Sequence, residues 1–203
     1  MTENAQRELE SLCEGVGVEA PSNWCSFLEE VRRWGARTDL TAAKNDRELC
    51  EILFLDAAQL IRAGWRTGSL VDVGAGVGAP TLPLLGVDLA ERGLLVEPRR
   101  KRVAFLRSAI GVLGLAGRAT VHEGRIDPEL PHLPHTLFDA ALSRATFDPA
   151  DWRRIGTSLA TEVWVFTAGA ELPDDQDFEA VRSLRYEVPS SGAPRAIHAF
   201  RGA

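Results

Sequence analysis

The chain has 203 residues, 45% of them hydrophobic and 26% charged, a balance that predicts one globular domain with a substantial core and excludes a disordered chain. Its polar, acidic beginning lacks the basic and apolar segments of a signal peptide, and its apolar runs fall short of the ~20 residues that span a bilayer, so we expect a cytoplasmic protein without a membrane segment. The net charge of -6 opposes a phosphate-binding field over the whole surface, so any contact with nucleic acid must be local.

Three amphipathic helices are predicted before the first strand. Apolar residues recur at helical spacing over residues 4–15, 22–36 and 46–63. Ser22 and Asp46 are the predicted N-caps of the second and third helices, because their short side chains can accept a hydrogen bond from an unpaired backbone N–H. We interpret residues 1–66 as a helical extension of the sheet that follows.

From residue 67 onward, short apolar runs alternate with helical segments. Strands are predicted at 69–73, 93–97, 118–123, 138–143, 162–167, 183–188 and 196–201. Helices are predicted from Pro80 onward and at 99–114, 148–158 and 175–182. This alternation predicts an α/β protein with a largely parallel sheet, covered on both faces, whose last two strands pair as an antiparallel hairpin. Residues 67–203 and the helical extension are expected to form a single domain.

A glycine-rich loop, DVGAGVGAP, follows the first strand of this sheet. Asp72 stands near the end of the strand, and Pro80 stands where the next helix can begin. Residues without a Cβ let the backbone turn sharply and approach a ligand closely. The loop therefore predicts a nucleoside-binding site formed by Asp72, Gly74, Gly76, Gly78 and Ala79.

An acidic residue at the end of the second strand completes this predicted site. Glu97 follows the loop by about twenty residues, where a carboxylate can accept hydrogen bonds from two vicinal ribose hydroxyls. Two cofactor classes compete, because Gly74, Gly76 and Ala79 also fit the dinucleotide pattern G-x-G-x-x-G/A. The carboxylate of Asp72 and the short chain left after one sheet favour S-adenosylmethionine, while a dinucleotide oxidoreductase remains the alternative.

A series of short motifs runs in order through the chain from about residue 27. It comprises Trp34, residues 39–41 (DLT), 54–56 (FLD), 72–84 (DVGAGVGAPTLPL), 101–106 (KRVAFL), 124–127 (GRID), 138–145 (FDAALSRA) and 194–197 (PRAI). Together these motifs resemble those of the bacterial small-subunit rRNA guanine-N7 methyltransferases, the family also called glucose-inhibited division protein B.

The resemblance implies a Rossmann-like class I S-adenosylmethionine-dependent methyltransferase with a mostly parallel seven-stranded sheet in the order 3-2-1-4-5-7-6. The implied acceptor is a guanine N7 in small-subunit rRNA, either free or in the ribosomal subunit. The family's donor pocket falls here on Gly74, Ala79, Ile126, Asp127 and Arg144. Asp127 would accept from the adenine amino group, the alternative being a capping carboxylate. Arg144 would lie at the donor site, the alternative being a surface ion pair.

A basic run opens the helix predicted after the second strand. Arg99, Arg100 and Arg102 belong to this run, and Arg144 follows the fourth strand. Sheets of this kind bind ligands outside the carboxyl ends of their strands, so these four arginines are predicted to contact RNA. The alternative for the run is a solvated helix face.

Three residues depart from the family's pattern in the third predicted helix. Ile52 and Leu53 stand where the family usually has Arg-His, and Ala57 stands in place of a serine. We expect these residues to turn a polar surface apolar. A methyltransferase with another acceptor, or a nucleotide-binding module that has lost catalysis, therefore remains an alternative.

No general base and no metal are expected. The lone pair of guanine N7 can attack the methyl group without losing a proton, so the catalytic residue is left unassigned, with Arg144 as the candidate for orienting the base. Cys13, Cys25 and Cys50 show no zinc or disulfide spacing and are expected to be reduced thiols. His132 and His135 lie in a proline-bounded segment without further ligands at useful spacing.

Overall fold

A computed structural model describes residues 3–127 and 137–203. Its N-terminal part is helical, and no helix in these ranges is long and apolar enough to cross a bilayer. The helices are α1 (Glu3–Val16), α2 (Ser22–Gly35), α3 (Asp46–Cys50) and α4 (Asp56–Arg62), the last two joined by a π-helical turn (Glu51–Leu55). His132 and His135 lie outside the described residues, so the expectation about them stays a prediction.

The two predicted N-caps are each wrong by one residue. Pro21 precedes the first helical residue of α2 in an extended conformation and makes no side-chain cap hydrogen bond. Asn45 caps α3 instead of Asp46, because its Oδ1 accepts from the backbone N–H of Glu48 at 2.9 Å. The predicted third helix is also divided by the π-helical turn, a feature frequently found at functional sites.

Within the described residues, seven strands form one sheet in the order β3-β2-β1-β4-β5-β7-β6, which confirms the order implied by the resemblance. Strands β1 to β5 pair in parallel, whereas β7 runs antiparallel between β5 and β6. The bounds are β1 (Thr67–Val73), β2 (Ala90–Glu97), β3 (Ala119–Glu123), β4 (Phe138–Ser143), β5 (Ala160–Thr167), β6 (Phe178–Glu187) and β7 (Pro194–Gly202).

Apolar residues on both faces of the sheet form two hydrophobic cores. Neighbouring residues of a strand point to opposite faces, so Leu70 of β1 belongs to one core and Val71 to the other. Trp152 of α7 packs in the core that contains Val71. The covering helices are α5 (Thr81–Gly86), α6 (Arg100–Val112) and α7 (Pro149–Thr157).

The N-terminal helices share the larger core with the sheet. Trp24 stacks on Phe54 with a centroid distance of 4.9 Å, and its Nε1 donates to the carbonyl oxygen of Pro83 at 3.2 Å. Leu53 and Ala57 lie in the same core with exposures of 1% and 0%. The expectation that they form an apolar surface is therefore wrong, because they pack inward against the other helices.

The predicted helix at 175–182 is also wrong. Residues from Phe178 onward form the edge strand β6, which pairs with β7 along its length. Arg182, Leu184 and Tyr186 are partly buried while the residues between them are exposed, an alternation that suits a strand. Pairing with β7 outweighs the weak local preference of this segment for a helix.

Candidate active site

The glycine loop lies at the carboxyl ends of β1 and β2. The backbone N–H groups of Gly74 and Ala75 donate to the carbonyl oxygen of Val96 at 2.9 and 3.0 Å, which ties the loop to β2. Gly74 has a φ of +78°, and a Cβ there would overlap the Thr146 side chain. The loop therefore needs glycine for its conformation and for the close approach of the segment after β4.

Two further loop positions serve packing. A Cβ at Gly78 would lie 2.7 Å from Leu82 and 2.8 Å from Leu106, so this glycine allows α5 and α6 to approach the loop. Ala79 is 4% exposed and belongs to the larger core. These two positions shape the loop from behind, in contrast to Gly74 and Gly76 on its partly exposed side.

The carboxylate of Glu97 is fixed against the loop. Its Oε2 accepts from the backbone N–H of Gly76 at 2.9 Å, and its Oε1 accepts from that of Arg99 at 2.9 Å. The residue is only 3% exposed. An ionised carboxylate has about four lone-pair sites, so both oxygens keep capacity for hydroxyl donors of a ligand. The arrangement holds a pre-oriented acceptor where a ribose was expected.

Asp72 lies beneath the loop and is 2% exposed. Burial raises the pKa of its carboxyl to about 7; a hydrogen bond from Thr81 and the positive charge of Arg144 act against that rise, and Glu97 adds to it. The Thr81 hydroxyl donates to Asp72 Oδ2 at 2.7 Å. This titratable group thus changes its charge near neutral pH, close to the loop that a donor would contact.

The segment after β3 carries two further residues predicted for the donor pocket. Ile126 is 6% exposed and packs in the smaller core with Val73 and Val96 from the ends of β1 and β2. Asp127 follows as an exposed residue. Ile126 therefore reaches the two strand ends next to the loop, while Asp127 stands on the surface beside them.

Arg144 forms an ion pair in the wall of a cleft. Its Nη1 donates to Asp56 Oδ2 at 2.9 Å and to the carbonyl oxygen of Ile52, also at 2.9 Å. The side chains of Arg144 and Asp56 are 28% and 11% exposed, so the pair is mostly buried and differs from the surface pair considered above. The Tyr186 hydroxyl donates to Asp56 Oδ1 at 2.6 Å.

The cleft has a volume of about 880 Å³. It lies between the π-helical turn, the loop after β4 and the ends of β5, β6 and β7. Most of its lining is apolar, including Ile52, Leu55, Phe147, Trp152 and Val165. Arg144 and Ala145 line this cleft, and the next residue, Thr146, contacts the glycine loop. The loop and the cleft are therefore neighbours across residues 144–146.

The basic run lies beside the loop. Arg99 is exposed at the N-cap of α6, and Arg102 Nη1 would lie 3.8 Å from a Cβ at Gly76. Arg100 is 91% exposed and pairs with Glu123 at 3.1 Å. The structure therefore brings the run to the edge of the loop, and the solvated-face alternative stays open for Arg100.

Sequence reasoning missed several residues of this site. Tyr186 and Thr146 belong to no short motif in which they carry a role, and the resemblance gave Asp56 no role. Thr81 follows the glycine loop directly, so its spacing from Asp72 was the one available signal. No cluster of His, Cys, Asp and Glu arranged to hold a metal ion occurs among residues 3–127 and 137–203.

Solved structures of methyltransferases share this fold. The O-methyltransferase from Bacillus cereus in complex with SAH matches with a TM-score of 0.61 and 19% identity, covering 87% of this chain and 90% of that one. TrmK of M. capricolum in complex with S-adenosylhomocysteine matches with a TM-score of 0.56 and 8% identity, covering 74% and 69%. The fold is therefore the Rossmann-like α/β fold of the class I methyltransferases.

The chain belongs to the GidB family, rRNA small subunit methyltransferase G, whose model matches residues 22–170. Ribosomal RNA small subunit methyltransferase G of Myxococcus xanthus is 30% identical over 210 aligned positions, covering 95% of each chain. The protein of the same name from Geobacter sulfurreducens is 28% identical, covering 84% of this chain and 83% of its own.

Proposed function

We propose that the chain transfers a methyl group from S-adenosylmethionine to N7 of a guanine in small-subunit rRNA, in the cytoplasm. The observation that carries this proposal is that the glycine loop, with Glu97 against it, lies next to the cleft, with residues 144–146 between them. A donor on the loop and a base in the cleft would then meet at this segment. Small-subunit rRNA is proposed as the acceptor because the relatives are named as methyltransferases of that RNA.

The residues around the loop fit the donor. The side chain of Glu97 suits the ribose hydroxyls, and the space beside Gly76, where a Cβ would meet no atom closer than 3.8 Å, suits the close passage of the donor. When ionised, Asp72 provides negative charge for an ammonium group. Ile126 and Asp127 would frame and read the adenine. The bound donor supplies a methyl group on a sulfonium sulfur.

The chemistry places few demands on the protein. The N7 lone pair attacks the methyl carbon while the carbon–sulfur bond breaks, and no proton leaves the nucleophile. Catalysis then depends on holding the two atoms in line, an effect worth up to ~7–11 kcal/mol in well-oriented systems. The apolar walls of the cleft suit the faces of a base, and Arg144 offers donors to its polar edge.

The RNA backbone would contact the basic run. Arg99, Arg100 and Arg102 stand at the edge of the donor loop, where phosphates flanking a base in the cleft would pass. Because the chain carries a net charge of -6, attraction to RNA must come from such a local patch.

The alternative of a module without catalysis depended on three apolar residues. Leu53 and Ala57 lie in the core and cannot alter a binding surface, which leaves Ile52 at the cleft. The alternative therefore loses most of its basis. The glycine loop, which also fits a dinucleotide pattern, lies within the residues matched by a methyltransferase family. The oxidoreductase alternative therefore loses its basis as well.

Mass spectrometry of rRNA nucleosides tests the proposal directly. We expect 7-methylguanosine to be lost from one small-subunit site in a strain that lacks the gene and to return on complementation. Purified protein should restore it on subunits from that strain when S-adenosylmethionine is added. Unchanged 7-methylguanosine in the deletion strain, or methylation of another base or of large-subunit rRNA only, would contradict the proposed acceptor.

A further inference from the structure

Three polar groups meet in the otherwise mostly apolar wall of the cleft. Asp56 accepts from Tyr186 through Oδ1 at 2.6 Å and from Arg144 through Oδ2 at 2.9 Å. Arg144 Nη1 also donates to the carbonyl oxygen of Ile52 at 2.9 Å. All four residues line the cleft. The guanidinium is thus held by a carboxylate that is itself held by a phenol.

The three side chains come from distant parts of the chain. Asp56 begins α4 directly after the π-helical turn, Arg144 follows β4, and Tyr186 lies on the edge strand β6. Tyr186 pairs with Arg195 of β7 in the sheet register, so the sheet fixes its position. The helical extension and the last hairpin therefore both help to hold one arginine, Arg144, which lies beside the glycine loop.

Stability alone is a poor explanation for this arrangement. Burying an ion pair costs desolvation energy that its attraction only partly returns, and apolar residues of similar size often replace such pairs without loss. Leu55, Phe147 and Trp152 show that apolar packing is used elsewhere in the wall. The hydrogen bonds among Tyr186, Asp56 and Arg144 fix the orientation of the Arg144 guanidinium, which apolar packing would not do.

The protonation of Tyr186 supports this role. Burial raises the pKa of its hydroxyl far above the ordinary value, and the charge and hydrogen bond of Asp56 raise it further, against a small opposing effect of Arg144 and Arg195. The phenol therefore stays a hydrogen-bond donor at any pH at which RNA is intact. Asp56 Oδ1 is kept occupied, and Oδ2 faces Arg144.

We propose that Tyr186 and Asp56 are positioning residues that hold Arg144 toward the acceptor base. Both contacts of Arg144 use Nη1, and the described residues give no hydrogen-bond partner to its Nε and Nη2. These hydrogens suit an acceptor-only edge, such as the O6 oxygen of guanine, which adenine replaces with a donor. This inference rests on the proposed function and adds the selection of guanine to it.

The substitution Tyr186→Phe tests the proposal by removing one hydroxyl. We expect kcat for methylation of small-subunit rRNA to fall roughly tenfold, the effect of losing one hydrogen bond to a charged group, with donor Kd nearly unchanged and the fold retained at a modestly lower Tm. In the Arg144→Ala background the same substitution should have no further effect on kcat. Ser183→Ala is the matched control, because that hydroxyl on β6 pairs with His198 outside the cleft and its loss should leave kcat unchanged.

A spectroscopic measurement separates this proposal from the proposed function. Tyr186 is the single tyrosine of the chain, so incorporation of 3-fluorotyrosine gives one ¹⁹F resonance. We expect that resonance to shift when small-subunit RNA binds to the wild type and to stay fixed in Arg144→Ala.

The outcomes divide cleanly. An equal kcat loss from Tyr186→Phe in both backgrounds, or a fall in Tm with unchanged kcat, would overturn the positioning role. Absence of rRNA methylation by the wild type would overturn the proposed function; in that event the ¹⁹F response still decides the role, since an RNA-induced shift that persists in Arg144→Ala contradicts it.

Discussion

At the scale of single residues, the donor side of the site was accessible to sequence reasoning, and the cleft side was not. Asp72, Gly74 and Glu97 belong to one strand–loop–helix–strand unit, so local spacing placed them together. Asp56 and Tyr186 meet although they are 130 positions apart. Nothing in the local pattern of either residue indicates the other, because the contact depends on how the hairpin docks on the helices.

Glu97 should dominate binding of the donor. We expect Glu97→Ala to weaken S-adenosylmethionine binding roughly ten- to a hundredfold, since both the ribose acceptor and the hydrogen bonds that hold Gly76 and Arg99 are lost. Glu123→Ala is the matched control, because Glu123 is the register partner of Glu97 on β3 but stands exposed beside Arg100. Isothermal titration calorimetry on the folded variants measures the difference. Equal affinity of the Glu97 variant and the wild type would remove Glu97 from the site.

Asp72 should reduce stability at neutral pH. Its folded-state pKa of about 7 lies above the ordinary value of 3.8 for an aspartate, so the folded state retains a proton that the unfolded state loses. This group therefore lowers the stability as pH rises from about 4 to 7, and the loss is complete above pH 7. We expect Asp72→Asn to raise the free energy of unfolding by roughly 2–4 kcal/mol at pH 8 and much less at pH 4.5. Urea unfolding at both pH values checks the sign, and a pH-independent difference would contradict it.

At the scale of elements, the alternation of strands and helices predicted most of the sheet, and the errors fall at its last edge. Strands with buried residues on both faces give continuous apolar runs that are recognisable in the sequence, as residues 94–96 of β2 are. The edge strand β6 lacks that signal because one of its faces is exposed. The π-helical turn could not be predicted either, because the helical spacing of apolar residues continues through residues 46–63.

The start of α6 is the element on which RNA affinity should depend. We expect Arg99→Gln with Arg100→Gln to weaken binding of small-subunit RNA at low salt and to reduce the slope of log K against log salt by about two, one for each lost phosphate contact. The matched control is Arg62→Gln with Arg66→Gln, which makes the same change of charge just before the amino end of β1. Filter binding across a salt series distinguishes the two. Equal slopes for both double variants would identify the run as a solvated helix face.

At the scale of the whole molecule, the helical extension and the last hairpin hold each other. Glu51 in the π-helical turn accepts from the backbone N–H of Ser190 at 2.7 Å and from its hydroxyl at 2.6 Å. Arg47 donates to the carbonyl oxygen of Pro189 at 2.9 Å. These contacts close one side of the cleft. No sequence pattern predicted them, because they join a helix and a turn more than 130 positions apart.

Loss of the hydrogen bonds between Glu51 and Ser190 should loosen the cleft. We expect Glu51→Ala to lower the free energy of unfolding by about 1–3 kcal/mol, because two hydrogen bonds to a buried carboxylate are lost. Hydrogen exchange should rise in the turn between β6 and β7 while the β1–β2 region stays protected. Glu171→Ala, which removes an exposed ion pair with Arg185, is the control and should change neither quantity. Unchanged hydrogen exchange in the β6–β7 turn of the Glu51 variant would show that Glu51 does not hold the hairpin.

The order of the strands also sets a time at which the site can exist. Strand β7, the last of the seven described strands along the chain, inserts between β5 and β6, so β6 has no neighbour and β5 has only β4 until Pro194–Gly202 has left the ribosome. The cleft needs that step as well, because Tyr186 of β6 and Ala196 of β7 both line it. A chain still attached to the ribosome at this point can form its glycine loop but not the complete cleft. If the acceptor base enters this cleft as proposed, the protein becomes competent to modify ribosomal RNA only after the ribosome that makes it has synthesised and extruded β7.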